Sequence, residues 1–219
     1  MKTSKPGVIV IEGHVQGLAN VVSLGREKIP VYVVDKNDCI AKHSKYCKNF
    51  FKCSDYSSDE FVDFLIKIAK EENLKNWTLL PSNDAAVLTI SKNKDKLKFF
   101  YKIITPDINV IDNICDKSKL LKIANDCGIP IPRIYPKIGN YKYNFPLIIK
   151  GKRGFSFYKK YKVKAFEIKN HDDLLSRFNY MKKYNKNEEL LIQELIPVKN
   201  SKTISFTAFA IKGDIKCYW

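Results

Sequence analysis

The chain has 219 residues, of which 45% are hydrophobic, enough to build the core of one large domain or two small ones. Its net charge of +16, from 39 Lys and Arg against 23 Asp and Glu, favours anionic partners. The lysines are scattered and arginine is rare, whereas surfaces that read DNA bases favour arginine, so we expect no nucleic acid partner. Binding of nucleic acid by charge alone stays as a further hypothesis, and it predicts an affinity that falls steeply with salt.

Cysteine spacing and hydropathy exclude two further classes. The cysteines form no Cys-x-x-Cys pair and do not cluster with the three histidines at the spacing of metal ligands, which argues against zinc. No apolar run reaches about 18 residues and no signal peptide precedes the first strand, so we expect a cytoplasmic protein without a membrane partner. Of the six cysteines, Cys39, Cys47 and Cys53 are close together in sequence, and we predict that these three are reduced and structural.

The chain begins with a βαβ pattern. Residues 7–11 are a continuous apolar run, a helix follows, and a second apolar run over residues 29–34 ends at Asp35. Gly13 and Gly17 lack the Gly-x-Gly turn of the dinucleotide fingerprint, so nicotinamide binding is disfavoured. Asp35 either binds a ribose hydroxyl or is an ordinary acidic residue at the end of a strand.

Further strands and helices extend this pattern. A polar segment, Ser82-Asn83-Asp84, follows a strand predicted over residues 77–81, and the carboxyl ends of strands are where open α/β sheets bind ligands. The alternative is that Ser82 or Asn83 only caps the next helix. The other predicted elements are a short helix and strand over 40–53, a helix capped by Ser57 or Ser58 with Phe61, Phe64, Leu65, Ile68 and Ala69 on one face, and a strand over 99–104.

The second half contains a strongly basic loop. The apolar run Phe145–Ile149 predicts a buried strand that ends at Lys150. Residues 151–162 contain two glycines and several cations, and predict a flexible flap suited to the oxygens of a polyphosphate, or alternatively a solvated basic hairpin. The other expected elements are a linker over 106–114, a helix over 117–126 capped by Asp116, a strand over 163–168, a helix from Asn170 to about Tyr184, a strand over 189–194 and a hairpin turning at 212–214.

The order of these motifs resembles the ATP-grasp superfamily, which includes biotin carboxylase, the large subunit of carbamoyl phosphate synthetase and carboxylate–amine ligases. The motifs are Asp116-Lys117 before a helix, Gly-Ile-Pro-Ile-Pro at 128–132, a strand ending in Lys150, and Gln-Glu-Leu-Ile-Pro at 193–197. The resemblance covers essentially the whole chain and implies an α/β fold. It implies a Rossmann-like parallel-sheet preATP-grasp domain over 1–105, an α+β ATP-grasp amino-terminal subdomain with its linker helix over 106–191, and a hinge with the truncated start of the carboxy-terminal subdomain over 192–219.

The resemblance also implies a site for ATP. Lys117 and Lys150 match the lysines that bind the nucleotide phosphates, although Lys117 could equally be an ordinary first-turn lysine. The loop after Lys150 departs from the Gly/Ser-rich flap of many relatives, so it would bind phosphate through side chains. The implied residues are Lys152, Arg153 and Lys164 for phosphate, Glu194 and Ile196 with Gln193 in reach for adenine, and Glu12, His14, Asn83 and Asp84 for the substrate cleft, where His14 could also be a surface loop histidine.

The implied reaction joins a small-molecule carboxylate to an amine or a thiol through an acyl phosphate. Relatives use Mg²⁺, whose acidic and amide ligands are expected outside this chain, so the chain alone is expected to show little or no turnover. A homodimer or a partner subunit could supply the missing part. The alternatives are a non-catalytic nucleotide- or metabolite-binding module and a subunit of a split carbamoyl phosphate synthetase-like enzyme.

Overall fold

The computed structural model describes residues 5–135, 142–184, 190–197, 202 and 204–218. By its internal contacts the chain divides into two compact units, Met1–Leu120 and Leu121–Trp219. All six cysteines are free. In the described part of the chain, no helix is long and apolar enough to cross a membrane.

The first unit is built on a parallel sheet with the strand order β3-β2-β1-β4-β5. The chain fills one side of β1 first and then returns to the other side, so the order reverses between β1 and β4. The strands are β1 (Val8–Ile11), β2 (Val31–Asp35), β3 (Cys47–Lys52), β4 (Trp77–Pro81) and β5 (Tyr101–Ile103). Described helices of this unit are α1 (Val15–Arg26), a 3-10 helix (Ile40–His43), α2 (Asp59–Glu71), α3 (Asp84–Lys92), α4 (Lys94–Leu97) and α5 (Ile108–Cys115); α6 (Lys117–Asp126) begins in it.

Both faces of this sheet are buried. On β1, Ile9 and Ile11 belong to a core with α2 and α3, whereas Val10 between them belongs to a second core with α1 and the 3-10 helix. All three side chains are fully buried. Successive strand residues point to opposite faces, so a strand with helices on both sides must be apolar at every position. This explains the continuous apolar run that predicts β1.

Local backbone chemistry sets the helix ends. Asp116 caps α6 as predicted, because its carboxylate accepts hydrogen bonds from the backbone N–H groups of Ser118 (2.9 Å) and Lys119 (3.3 Å). At the other end of α6, Gly128 has φ of 73° and its N–H donates to the carbonyl of Asn125. That geometry is the glycine C-terminal motif that the sequence predicts.

Most of the linker predicted over residues 106–114 forms a helix, α5. Asp107 occupies the N-cap position, where its carbonyl accepts from the N–H groups of Val110 and Ile111. Ile111 is buried, while Val110 and Ile114 are about half exposed. A single buried position in eight residues is too short a pattern for apolar periodicity to indicate a helix.

The second unit contains an antiparallel sheet with the strand order β6-β9-β7-β8. Separate from this sheet is a hairpin that turns at Lys212 and Gly213, both with positive φ, as the sequence predicts. The described elements are β6 (Ile134–Tyr135), β7 (Leu147–Gly151), α7 (Gly154–Tyr161), β8 (Phe166–Ile168), α8 (His171–Tyr184), β9 (Leu190–Glu194), β10 (Ala208–Ile211) and β11 (Asp214–Tyr218).

The prediction of a flexible flap over residues 151–162 is wrong. It forms α7, in which Phe157 is fully buried and packs against Tyr161 with 4.7 Å between ring centroids. A Cβ on Gly151 would lie 2.7 Å from the Cβ of Phe157, so the glycine lets this helix approach β7 closely. Lys162, with φ of 57°, ends α7 and delays the next strand to Phe166. Burial of Phe157 stabilises a helix here, although the many cations of the segment suggested a solvated loop.

Candidate functional site

The first candidate site lies at the carboxyl edge of the parallel sheet, where β1 and β4 end. The strand order reverses between these two strands, and open α/β sheets bind ligands at such a switch point. Backbone hydrogen bonds fix the loops there: Glu12 N–H donates to Val34 O at 2.8 Å and Ser82 N–H donates to Ile11 O at 2.9 Å. The sequence-predicted residues Glu12 and Asn83 therefore flank the switch point.

Asp35 serves the fold at this edge. It is 5% exposed, and its carboxylate accepts from Gly13 N–H at 2.8 Å, Tyr56 Oη at 2.9 Å and Asn37 N–H at 3.0 Å. Burial and the neighbouring Asp35 carboxylate raise the pKa of the Tyr56 hydroxyl. The sequence left two alternatives for Asp35. These contacts favour an acidic residue at the end of a strand that holds the neighbouring loops, and they disfavour a residue that binds a ribose hydroxyl.

Glu12 is held in an unusual conformation beside Asp35. Its φ is 72°, in the left-handed region that residues other than glycine seldom adopt and that recurs at functional sites. Burial and, second, the charge of Asp35 raise the pKa of the Glu12 carboxyl. Asn83, His14 and Lys36 oppose that shift but do not cancel it. The result is a partly buried carboxyl group that holds a proton more readily than an exposed glutamate.

Asn83 has a structural role that uses its amide oxygen and leaves its amide nitrogen without a partner. Its Oδ1 accepts from Ala86 N–H at 2.8 Å, so it caps α3, the alternative that the sequence offered for this residue. Its Nδ2 is buried without a hydrogen-bond partner of regular geometry. The amide still lies close enough to the Glu12 carboxylate to oppose the rise in its pKa. Without a formed hydrogen bond, Nδ2 is a donor available to a ligand.

The remaining predicted residues of this edge are more exposed. His14 is exposed at the N-cap position of α1 and makes no capping hydrogen bond with its side chain. Asp84 is exposed at the first position of α3. Gly17 is explained by packing, because a Cβ there would lie 2.0 Å from Glu12 O. The weak glycine pattern of the sequence thus reflects close packing of α1 on the loop after β1.

The antiparallel sheet of the second unit has one face devoted to the core. Leu147 and Ile149 on β7 and Ile192 on β9 belong to a hydrophobic cluster that α7 and α8 complete through Phe157 and Leu174. All five side chains are at most 4% exposed. Because strand side chains alternate between faces, the intervening residues must point the other way.

The second face of this sheet, defined by Ile148 and Lys150 on β7 and Leu191 and Gln193 on β9, is the second candidate site. The register pairs Ile148 with Gln193 and Lys150 with Leu191. Gln193 is 8% exposed, and its Oε1 is buried without a hydrogen-bond partner. A buried amide oxygen is costly to leave unpaired, so an unsatisfied one suggests a ligand that donates to it.

Glu194 points differently from Gln193. Its Oε1 accepts from the N–H of Arg133 at 2.9 Å, and its own N–H donates to the carbonyl of Arg133 at 2.9 Å. Its carboxylate is thus engaged at the junction with β6, whereas Ile196, two residues on, is 54% exposed. Because its carboxylate is engaged in this way, the backbone of Glu194 is better placed than its side chain for the predicted contact with adenine.

The other predicted cations surround α7 and α6. Lys152 and Arg153 lie between β7 and α7, Arg153 at the N-cap position of α7, and Lys164 is exposed just before β8. Lys117 is the first residue of α6, within the first compact unit. Binding of phosphate by these four residues stays a prediction.

Sequence reasoning missed the partners that hold these residues. Tyr56 bonds to Asp35 from 21 positions away, and Arg133 bonds to Glu194 across 61 positions. No local pattern signals such contacts. Among the described residues, no group of three or more His, Cys, Asp or Glu side chains could hold a metal ion.

Comparison by sequence finds no matching family model and no matching curated protein. Comparison by structure finds solved proteins of similar fold. One is the L-amino acid ligase from Bacillus licheniformis, with a TM-score of 0.62 and 12% identity, where the match covers 89% of this chain and 45% of the ligase. Another is carboxyaminoimidazole ribonucleotide synthase from Aspergillus clavatus complexed with ATP, with a TM-score of 0.63, 18% identity and coverage of 89% and 48%.

A third is the biotin carboxylase domain of the Hydrogenobacter thermophilus 2-oxoglutarate carboxylase, solved as a dimer with MgADP and bicarbonate. Its TM-score is 0.60 at 14% identity, and the match covers 86% of this chain and 44% of that one. The chain thus spans about half the length of the solved proteins that it matches. These structures confirm the predicted α/β fold class, and the shared fold agrees with the resemblance of the sequence motifs to the amino-terminal part of the ATP-grasp superfamily.

Proposed function

We propose that this chain is the amino-terminal part of an ATP-dependent ligase that joins a carboxylate to an amine or a thiol through an acyl phosphate. The observation that carries the proposal is that the second face holds both the buried, unpaired amide oxygen of Gln193 and the cation Lys150, which lies two residues along β7 from the position opposite Gln193. Solved proteins of similar fold include an amino acid ligase and a synthase complexed with ATP, which supports this reaction class.

In this proposal the second face binds ATP. Gln193 Oε1 accepts a hydrogen from the adenine amino group, and the backbone at Glu194 and Ile196 lies along the base. Lys150 is placed two residues further along β7 than the position opposite Gln193, about 7 Å along the strand, which directs its ammonium group toward the phosphates. Lys152, Arg153 and Lys164 are proposed to add positive charge there.

The proposed reaction has two displacements. A carboxylate oxygen attacks the γ-phosphorus, giving an acyl phosphate and ADP, and the amine then attacks the acyl carbon and releases phosphate. Lys150 would stabilise the negative charge on the transferring phosphoryl oxygens, a positioning and electrostatic role. The biotin carboxylase domain of similar fold was solved with MgADP, but the described residues of this chain offer no set of ligands for Mg²⁺, so no step is assigned to the metal.

The carboxyl edge of the first unit is proposed to bind the acceptor. Glu12 provides a carboxyl group with a raised pKa and Asn83 a buried amide donor, with His14 and Asp84 exposed beside them. In this assignment residues 1–105 form the domain that precedes the ATP-grasp module, residues 106–191 its amino-terminal subdomain and residues 192–219 the start of the next. The substrates are small molecules and the proposed location is the cytoplasm.

The test is a calorimetric titration of ATP with Mg²⁺ into wild type, Lys150→Ala and Lys182→Ala. Lys182 is exposed on α8, the helix that covers the opposite face of the sheet, so its variant matches the loss of charge. We expect Lys150→Ala to weaken ATP binding at least tenfold, about 1.4 kcal/mol, and Lys182→Ala to leave it unchanged. Binding that survives in Lys150→Ala, or equal losses in both variants, would contradict the proposal.

Gln193→Leu separates the base from the phosphates. If Gln193 Oε1 accepts from the adenine amino group, the variant should lose affinity for ATP but not for GTP, whose base carries a carbonyl at that position. Equal affinity of the variant and wild type for both nucleotides would place adenine elsewhere.

A further inference from the structure

The first unit has a cavity at the end of its sheet that faces away from the carboxyl edge. We call it the amino-edge pocket; it is open to solvent, has a volume of about 370 Å³ and lies between the turn after α1 and the segment before β3. Its lining includes Lys28 and Pro30 before β2 and Lys45 and Tyr46 before β3. In a parallel sheet these positions belong to the amino ends of the strands, opposite to Glu12 and Asn83. The pocket is therefore separate from the proposed acceptor site.

The walls of this pocket are fixed by close packing. Gly25 allows Tyr46 to lie directly against α1, since a Cβ on the glycine would come within 2.3 Å of the tyrosine Cβ. The turn itself is hydrogen-bonded: Lys28 N–H donates to Gly25 O at 3.1 Å and Ile29 N–H to Leu24 O at 3.1 Å. These two bonds satisfy carbonyls at the end of α1, which reduces the negative potential that a helix C-terminus would present to an anion.

The pocket is lined by three lysines and no acidic residue. They are Lys28, Lys45 and Lys48, and none of the ion pairs found in the described part of the chain includes them. Glu27 adjoins Lys28 in sequence but does not line the cavity. Lys45 Nζ lies 5.2 Å from the centroid of the Tyr46 ring, so one cation is already drawn over the aromatic wall.

We propose that the amino-edge pocket binds a small organic phosphate. The ammonium groups would share the phosphate oxygens as point charges, which suits a dianion better than a single carboxylate. The apolar body of the ligand would lie on Tyr46 and Pro30. The volume falls within the range of small-molecule sites, and the combination of an apolar wall with a few charged groups is typical of them.

Phenyl phosphate is the probe, because it combines an aromatic ring with a phosphate dianion. We expect its titration into ¹⁵N-labelled wild-type protein to shift the backbone amides of residues 45–48 and of the turn after α1. The double variant Lys45→Gln/Lys48→Gln should raise the dissociation constant at least tenfold. Inorganic phosphate should bind at least tenfold more weakly than phenyl phosphate because it cannot use the apolar wall.

The matched control is Lys75→Gln/Lys102→Gln, which removes the same charge from exposed positions on the β4–β5 side of the sheet. It should leave the phenyl phosphate affinity unchanged, as should Lys150→Ala, which alters only the proposed ATP site. Equal weakening by the two double variants would show that general positive charge is responsible and would overturn the proposal. Amide shifts confined to other parts of the protein, or inorganic phosphate binding as tightly as phenyl phosphate, would overturn it as well.

Discussion

The two units place polar side chains differently with respect to their sheets. In the first unit the polar residues follow the strands, and Asp35 is buried among three donors supplied by neighbouring loops. In the second unit Gln193 lies within a strand, and its Oε1 is buried without a partner. A strand end has free backbone groups and loops close by, whereas the backbone groups inside a strand are already used in the ladder. Edge residues therefore tend to serve the fold first, and a polar residue on a sheet face is the sharper sign of a ligand.

The largest effect is expected where the second unit covers one face of its sheet. Phe157→Ala should lower the free energy of unfolding by about 3–5 kcal/mol, because it removes a fully buried aromatic ring and leaves a cavity. Urea denaturation followed by circular dichroism, with amide exchange in β7, measures this. Tyr158, next in sequence and 50% exposed, is the matched control and should change by less than about 0.5 kcal/mol. Similar small losses of stability in Phe157→Ala and Tyr158→Ala would indicate that residues 151–162 form a flexible flap and do not contribute a core to this face of the sheet.

At the edge of the first unit, Asp35→Ala should lower the free energy of unfolding by about 3 kcal/mol. It strands the Gly13 and Asn37 N–H groups and the Tyr56 hydroxyl, each of which loses its acceptor. Asp38→Ala removes an exposed carboxylate from the same loop and should leave the urea midpoint unchanged. If Asp35→Ala proved harmless, the edge would be free for ligands in the same way as the second face.

On the second face, Gln193→Leu should behave in the opposite way and raise the free energy of unfolding by about 1 kcal/mol. The substitution removes a buried acceptor that has no donor and keeps a side chain of similar size. Thermal denaturation without nucleotide measures the change, and Gln16→Leu at an exposed position of α1 controls for the change in polarity. A loss of stability greater than about 1 kcal/mol would mean that Gln193 is satisfied within the fold.

The smallest effect is a pH dependence at Glu12. Its carboxyl pKa is raised above the ordinary 4.5, so the folded state favours the protonated form, and the stability that this contributes is lost as the pH rises through the folded-state pKa. Glu12→Gln should therefore be more stable than wild type at pH 7, and the difference should vanish below about pH 4. Urea midpoints between pH 3.5 and 7 measure it, with Glu27→Gln as the exposed control. An advantage independent of pH would exclude a titrating carboxyl.

The predictability of the elements follows from the length of their patterns. The apolar runs at β1 and β2, the amphipathic face of α2 and the Gly128 stop are strong local signals, and the structure confirms them. The helix within the linker over 106–114 was not predicted and the flap over 151–162 was predicted wrongly, because each forms an eight-residue helix in which one described side chain, Ile111 or Phe157, is buried. The sequence named Lys150, Gln193, Glu12 and Asn83 as candidate site residues, which stay predictions, but it did not show which of their polar atoms have partners within the fold.

By itself, the sequence determined the alternation of strands and helices, the parallel sheet of the first unit and the polar residues that end its strands, because these depend on hydrophobic period and on turn and cap chemistry within about ten residues. Only the tertiary structure decided that Asp35 is satisfied and Gln193 Oε1 is not. It alone brought Lys28, Lys45 and Lys48 to one cavity. Hydrogen bonding, burial and charge convergence depend on residues tens of positions apart, and their arrangement is fixed by packing between elements, which no local pattern records.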